Sequence, residues 1–122
     1  MCVAHLITNR RQTGLITILD LRGSIHLGEA SLALRQAICG LVDSGQTRII
    51  LNLREVSSMD SAGVGELVGA YMPVKSKGGE LKLLNPTKKV LGILLITQLE
   101  RVFQVYTDEQ TAIRSFSETA HG

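Results

Sequence analysis

The chain has 122 residues, 44% of them hydrophobic, which predicts one domain with a substantial core. Thirteen Lys and Arg stand against 11 Asp and Glu, a balance that gives no electrostatic reason for a direct nucleic-acid or anionic-membrane partner. The longest strongly apolar stretch, Val90 to Ile96, is far short of the roughly 20 residues a membrane span needs.

Val3 to Ile7 and Leu15 to Leu21 are β-prone runs, separated by the polar stretch Asn9-Arg10-Arg11-Gln12-Thr13-Gly14, which reads as a hairpin-like connection. A loop after Gly23 then leads into a helix over Gly28 to Ser44. Leu27, Leu34, Ile38, Leu41 and Val42 recur in it at helical spacing, and Gly45 supplies the stop. Cys39 falls among these residues and is expected to be a small buried thiol. Cys2 and Cys39 form no C-x-x-C pair, and His5 and His121, near the two ends, form no metal-ligand set, so neither a redox motif nor a metal site is predicted.

Arg48 to Leu53, with Ile49-Ile50-Leu51 at its centre, has the continuous apolar character of a strand covered on both faces and should be central in a sheet. From Asp60 onward Val64, Leu67, Val68 and Tyr71 mark a second helix, which Gly78-Gly79 ends and Pro73 should kink. Glu80 to Leu84 is a short strand. A third helix follows from Pro86 to about Leu95, then a last strand over Val102 to Tyr106. Thr107-Asp108-Glu109-Gln110 has the form of a capping box before a final helix that buries Ala112, Ile113 and Phe116, and the tail from Glu118 to Gly122 should fray. The order β-β-α-β-α-β-α-β-α implies an α/β domain with a largely parallel sheet whose first strand is the antiparallel member. Neither G-x-G-x-x-G after the first strand nor a P-loop is present, so no nucleotide cofactor is indicated.

The informative segment joins the buried strand to the second helix: Ser57-Ser58-Met59-Asp60-Ser61-Ala62-Gly63-Val64-Gly65. A hydrophobic strand, a short loop and Asp60-Ser61-Ala62-Gly63-Val64-Gly65 at a helix start resemble the hallmark of the STAS domain family, the sulfate transporter and anti-sigma factor antagonist domains, and in particular its stand-alone bacterial antagonists. The flanks Gly78-Gly79-Glu80-Leu81 and Lys88-Lys89-Val90 agree, so the resemblance spans nearly the whole chain as one domain over 1–122. It implies a mixed, mostly parallel sheet of about five strands with about four helices packed against it. It implies no enzymatic activity, cofactor or metal. The expected role is that of an anti-sigma factor antagonist, a partner-switching regulator whose partner is an anti-sigma factor serine kinase.

In such antagonists the serine after the motif Asp is the phosphorylated residue, which by position is Ser61. A phosphate there would sit at a helix N-terminus, where unpaired N–H groups tolerate negative charge. The surface expected to meet the partner comprises Asp60, Ser61, Ala62, Gly63, His26 and Ser58, with Ser57 and Ser58 as lesser phosphoacceptors in the loop before the helix. Gly63 and Gly65 would allow close packing or a partner's close approach. The pattern breaks at Gly23-Ser24-Ile25-His26, where many phosphorylated antagonists carry an Asp in place of His26. A catalytic triad of Ser61, His26 and Asp60 is disfavoured because Asp60 and Ser61 are adjacent and no G-x-S-x-G elbow is present.

The competing readings are an unphosphorylated scaffold or subunit of a stress-signalling or lipid-transport assembly, a detached transporter domain, and a small-molecule sensor with a pocket beneath the helix at Pro73. The start Met1-Cys2-Val3-Ala4-His5 lacks a signal-peptide pattern, so cytoplasmic residence is expected.

Overall fold

In the computed structural model, which describes residues 6–119, apart from the side chains of residue 100 and residues 117–119, five strands lie in the order β1-β2-β3-β4-β5. They are β1 (Ile7–Thr13), β2 (Ile16–Ile25), β3 (Arg48–Met59), β4 (Glu80–Leu84) and β5 (Val105–Tyr106). The helices are α1 (Glu29–Asp43), α2 (Ser61–Ser76), α3 (Lys88–Ile96) and α4 (Glu109–Thr119), with a 3-10 turn at Leu99–Arg101. β1 pairs antiparallel with β2, and every other neighbouring pair is parallel. The result is the mixed sheet in a single α/β domain that the element order predicts.

Alternation along the central strand divides the core. Ile49, Leu51 and Leu53 join Leu19, Leu21, Leu81 and Leu83 under α1, α2 and α3, whereas Ile50 joins Ile16, Ile18 and Leu84 under Ala112 and Phe116 of α4. Three helices therefore cover one face and one helix covers part of the other. On that second face Lys82 is buried, its Nζ donating to Ser115 Oγ at 2.7 Å and lying 4.3 Å from the Phe116 ring centroid. Arg11 of β1 clamps the same side by pairing with Asp20 of β2 and Glu109 of α4. The hydrogen bonds of Arg11 hold the Asp20 carboxyl below its ordinary range.

Several boundaries differ from the sequence expectation. The polar run Asn9 to Thr13 is strand, and the turn contracts to Gly14-Leu15, where Gly14 takes the positive φ of 60°. Charged side chains on an exposed edge strand explain why this run lacks an apolar signal. Residues 3–5 of the expected first strand lie outside the described residues, as do Cys2, His5, His121 and the end of the tail. β2 continues past Gly23 to Ile25, and β3 continues past Leu53 to Met59, with register shifts between Asp20 and Arg22 and between Gly23 and Ser24. Ser57 and Ser58 therefore belong to a strand and not to a loop.

Leu27 is 82% exposed because it precedes the helix cap Gly28 and does not share the buried stripe of α1. Cys39 is only half-buried, flanking that stripe beside Ile38. β5 is two residues long because Phe103 turns inward to stack edge-on against Tyr71, with ring centroids 5.1 Å apart. The cap of α4 is Asp108, one residue after Thr107, its carboxylate accepting from the Thr111 backbone N–H at 2.9 Å. α2 runs through Pro73 to Ser76. Among the described residues no helix is long and apolar enough to cross a membrane.

Candidate functional site

β2 and β3 are parallel neighbours, and Ile25 is paired with Met59 at their common carboxyl end. The residues that follow, His26 and Asp60, are therefore brought side by side at the rim where α1 and α2 begin. Open α/β sheets commonly present their functional groups at this edge. The sequence separation of these residues hides their proximity, which only the strand register creates.

Asp60 organises the rim. Its Oδ1 accepts from the Gly63 N–H at 3.0 Å and caps α2, while its Oδ2 accepts from the Leu27 N–H at 3.0 Å and fastens the β2–α1 loop. Its own N–H donates to the Ile25 carbonyl at 3.2 Å. The Leu27 and Gly63 backbone bonds hold the Asp60 carboxyl below its ordinary range, with the nearby His26 ring a smaller contribution. Asp60 is thus an anion at neutral pH, fixed at both oxygens.

Ser61 is the first residue of α2, is exposed, and has no side-chain hydrogen bond among the described residues. Ala62 is half-buried and Gly63 is buried. A Cβ at Gly63 would lie 2.5 Å from the Ile25 carbonyl oxygen and 2.6 Å from Met59 Cγ, so this glycine lets α2 begin hard against the ends of β2 and β3. Gly65 has open space around it. The two motif glycines thus serve different ends, close packing at Gly63 and an open surface at Gly65.

The exposed residues Ser61, Gly65, Gly69 and Met72 recur at helical spacing and form one face of α2. His26 is exposed, and its Nε2 lies 2.8 Å from Ser58 Oγ while its Nδ1 faces Asp60 Oδ2 at 3.8 Å. The imidazole thus engages Ser58, and Asp60 does stand behind it, an arrangement not foreseen when only Ser61 is weighed as its partner. Leu27 is a further member of the rim that sequence patterning assigns to a helix stripe. The signal that separates it is Gly28, whose φ of 120° ends the loop and starts α1 after Leu27. A cavity of about 490 Å³ is lined by Arg11, Asp20, Arg22, Asn52, Arg54 and Glu109. It lies on the α4 side of the sheet, so a pocket at Pro73 is not what it represents.

A family model, that of the STAS domain, matches residues 8–112. The anti-sigma-B factor antagonist of Bacillus subtilis is 30% identical over 95 residues, which cover 78% of this chain and 85% of that protein. Among solved structures, an anti-sigma factor antagonist from Mycobacterium paratuberculosis superposes with a TM-score of 0.81 at 19% identity, over 90% of this chain and 92% of the other. The Bacillus cell fate determinant SpoIIAA in its phosphorylated form gives a TM-score of 0.69 at 25% identity, over 89% and 99%.

Proposed function

The chain belongs to the STAS domain family, and on that premise we propose that it is an anti-sigma factor antagonist switched by phosphorylation of Ser61. Unphosphorylated, it binds an anti-sigma factor that is also a serine kinase, and so releases a sigma factor. Phosphorylated, it lets go. It acts by binding in the cytoplasm and carries out no turnover of its own.

The observation that carries this reading is the position of Ser61: exposed, first in α2, and next to an anchored carboxylate. A phosphate on Oγ adds about −1.5 to −2 charge beside Asp60, while the N-terminal end of α2 keeps that charge compatible with the fold. The exposed stripe of α2 that Ser61 begins is uncharged, with Gly65 and Gly69 open and Met72 63% exposed, and Leu27 on the neighbouring loop is 82% exposed. Such a patch suits a partner's close approach and is spoiled by a dianion at its edge.

Ser61→Ala should keep partner binding and become insensitive to kinase and ATP, and Ser61→Asp should weaken binding with little change in melting temperature. Calorimetry with the anti-sigma factor reads the first effect and a melting curve the second. Wild-type affinity in Ser61→Asp would remove the charge-repulsion mechanism. His26, which stands where many phosphorylated antagonists carry an Asp, favours a second reading, a permanently unmodified scaffold subunit. The mass of the protein taken from its native host separates the two, since only the first includes a phosphoryl group at Ser61.

A further inference from the structure

Ser58 has a chemistry that Ser61 lacks. An activated serine needs a base within reach of its hydroxyl and a third group that orients the base and favours its protonated form. At Ser58 the base is His26, with Nε2 2.8 Å from Oγ, and the third group is Asp60, with Oδ2 3.8 Å from Nδ1. That second separation exceeds a hydrogen bond, so Asp60 stands beside the ring as a fixed neighbour and does not accept from it. It counts because the Asp60 carboxylate is anionic and fixed at both oxygens by Leu27 and Gly63. Asp60 is the carboxylate in contact with the ring among the interactions of the described residues.

The first turns of α1 and α2 open on the same rim, where the carboxylates of Glu29 and Asp60 offset the positive ends of the two helices. Ser58 is half-buried on a strand end while His26 is exposed above it, so a small donor has easier access to the hydroxyl than a protein cleft does. An acyl phosphate suits such an open site, because its carboxylate leaving group departs without the divalent ion and enclosing cleft that a nucleoside triphosphate requires.

The geometry points to Ser58 as a second covalent modification site, phosphorylated by a small acyl phosphate with His26 as general base. Ser58 Oγ forms a bond to phosphorus as the bond from phosphorus to the carboxyl oxygen breaks. The hydroxyl proton passes to His26 Nε2, and the carboxylate leaves with the electron pair. The imidazolium, held beside Asp60, then returns its proton to water. An anion is thereby placed on the partner-binding rim without a kinase.

The test is incubation of the full chain with acetyl phosphate at neutral pH, read by intact mass and by fragment mapping. A phosphoryl group should map to Ser58. Ser58→Ala should abolish it, His26→Gln should slow it on the order of 100-fold, and Ser57→Ala should label like wild type. Asp60→Asn should slow labelling as a positioning residue, with its melting curve taken alongside because Asp60 also caps α2. Labelling of His26→Gln at the wild-type rate would overturn the proposal, as would equal labelling of neighbouring serines, an acetyl group in place of the phosphoryl group, or no labelling. None of those outcomes bears on kinase-dependent phosphorylation of Ser61, which uses a different hydroxyl and the kinase's own base.

Discussion

Alanine at Gly63 and alanine at Gly65 should move stability in opposite directions, although the two positions lie two residues apart in one helix. At Gly63 the new methyl group would meet the Ile25 carbonyl oxygen at 2.5 Å, Met59 Cγ at 2.6 Å and Ile25 Cγ2 at 2.9 Å. To reach the 3.4 Å onset of ordinary contact, the carbonyl must retreat by about 0.9 Å. That oxygen also accepts the Asp60 N–H, so it cannot step aside without disturbing the rim. Overpacking of this kind costs roughly 1–3 kcal/mol, and the better helix propensity of Ala returns up to about 1 kcal/mol. The net expectation for Gly63→Ala is a loss of roughly 0–3 kcal/mol, and at the middle of that range, about 1–2 kcal/mol, a fall of roughly 3–10 °C in melting temperature for a chain of this size. Gly65 meets nothing within 4 Å, so its alanine variant should gain about 0.4–1 kcal/mol. Urea and thermal unfolding of both variants beside wild type measure this. If Gly63→Ala gained as much stability as Gly65→Ala, close apposition of α2 to the ends of β2 and β3 would be wrong.

Asp60→Asn should be less stable than wild type at neutral pH, and the gap should close in acid. The Asp60 carboxyl is lowered on folding, so its contribution is complete above the unfolded value of about 3.9 and is lost as pH falls through the folded value. Unfolding curves at a series of acidic pH values check this, and a constant gap would contradict it. Phe116→Ala should cost about 3–5 kcal/mol, because a ring only 4% exposed is removed from the α4 core and from Lys82. Partner binding should persist under native conditions, since α4 packs on the face away from α1 and α2. Leu27→Ala should weaken binding on the order of 10-fold while altering stability by no more than about 0.5 kcal/mol, read by calorimetry and denaturation respectively.

The sequence by itself determined the element order, the central position of Ile49 to Leu53, the antiparallel first strand, the start of α2 at Asp60-Ser61 and the family of the motif. Each rests on short-range physics: apolar periodicity, helix caps and turn glycines act within a few residues. The lengths of β1, β2 and β3 were decided by the sheet, since Asn9 to Thr13 and Val56 to Met59 become strand through ladder bonds to β2 that no local propensity encodes. The same holds for β5, shortened because Phe103 is drawn into the core. Which of the two motif glycines is crowded depends on what stands across from it, and Ile25 belongs to another strand. The pairing of His26 with Ser58 likewise joins residues 32 positions apart and exists only because β2 and β3 end in register. Tertiary structure alone sets such contacts, because their energy arises between segments that the chain connects through α1.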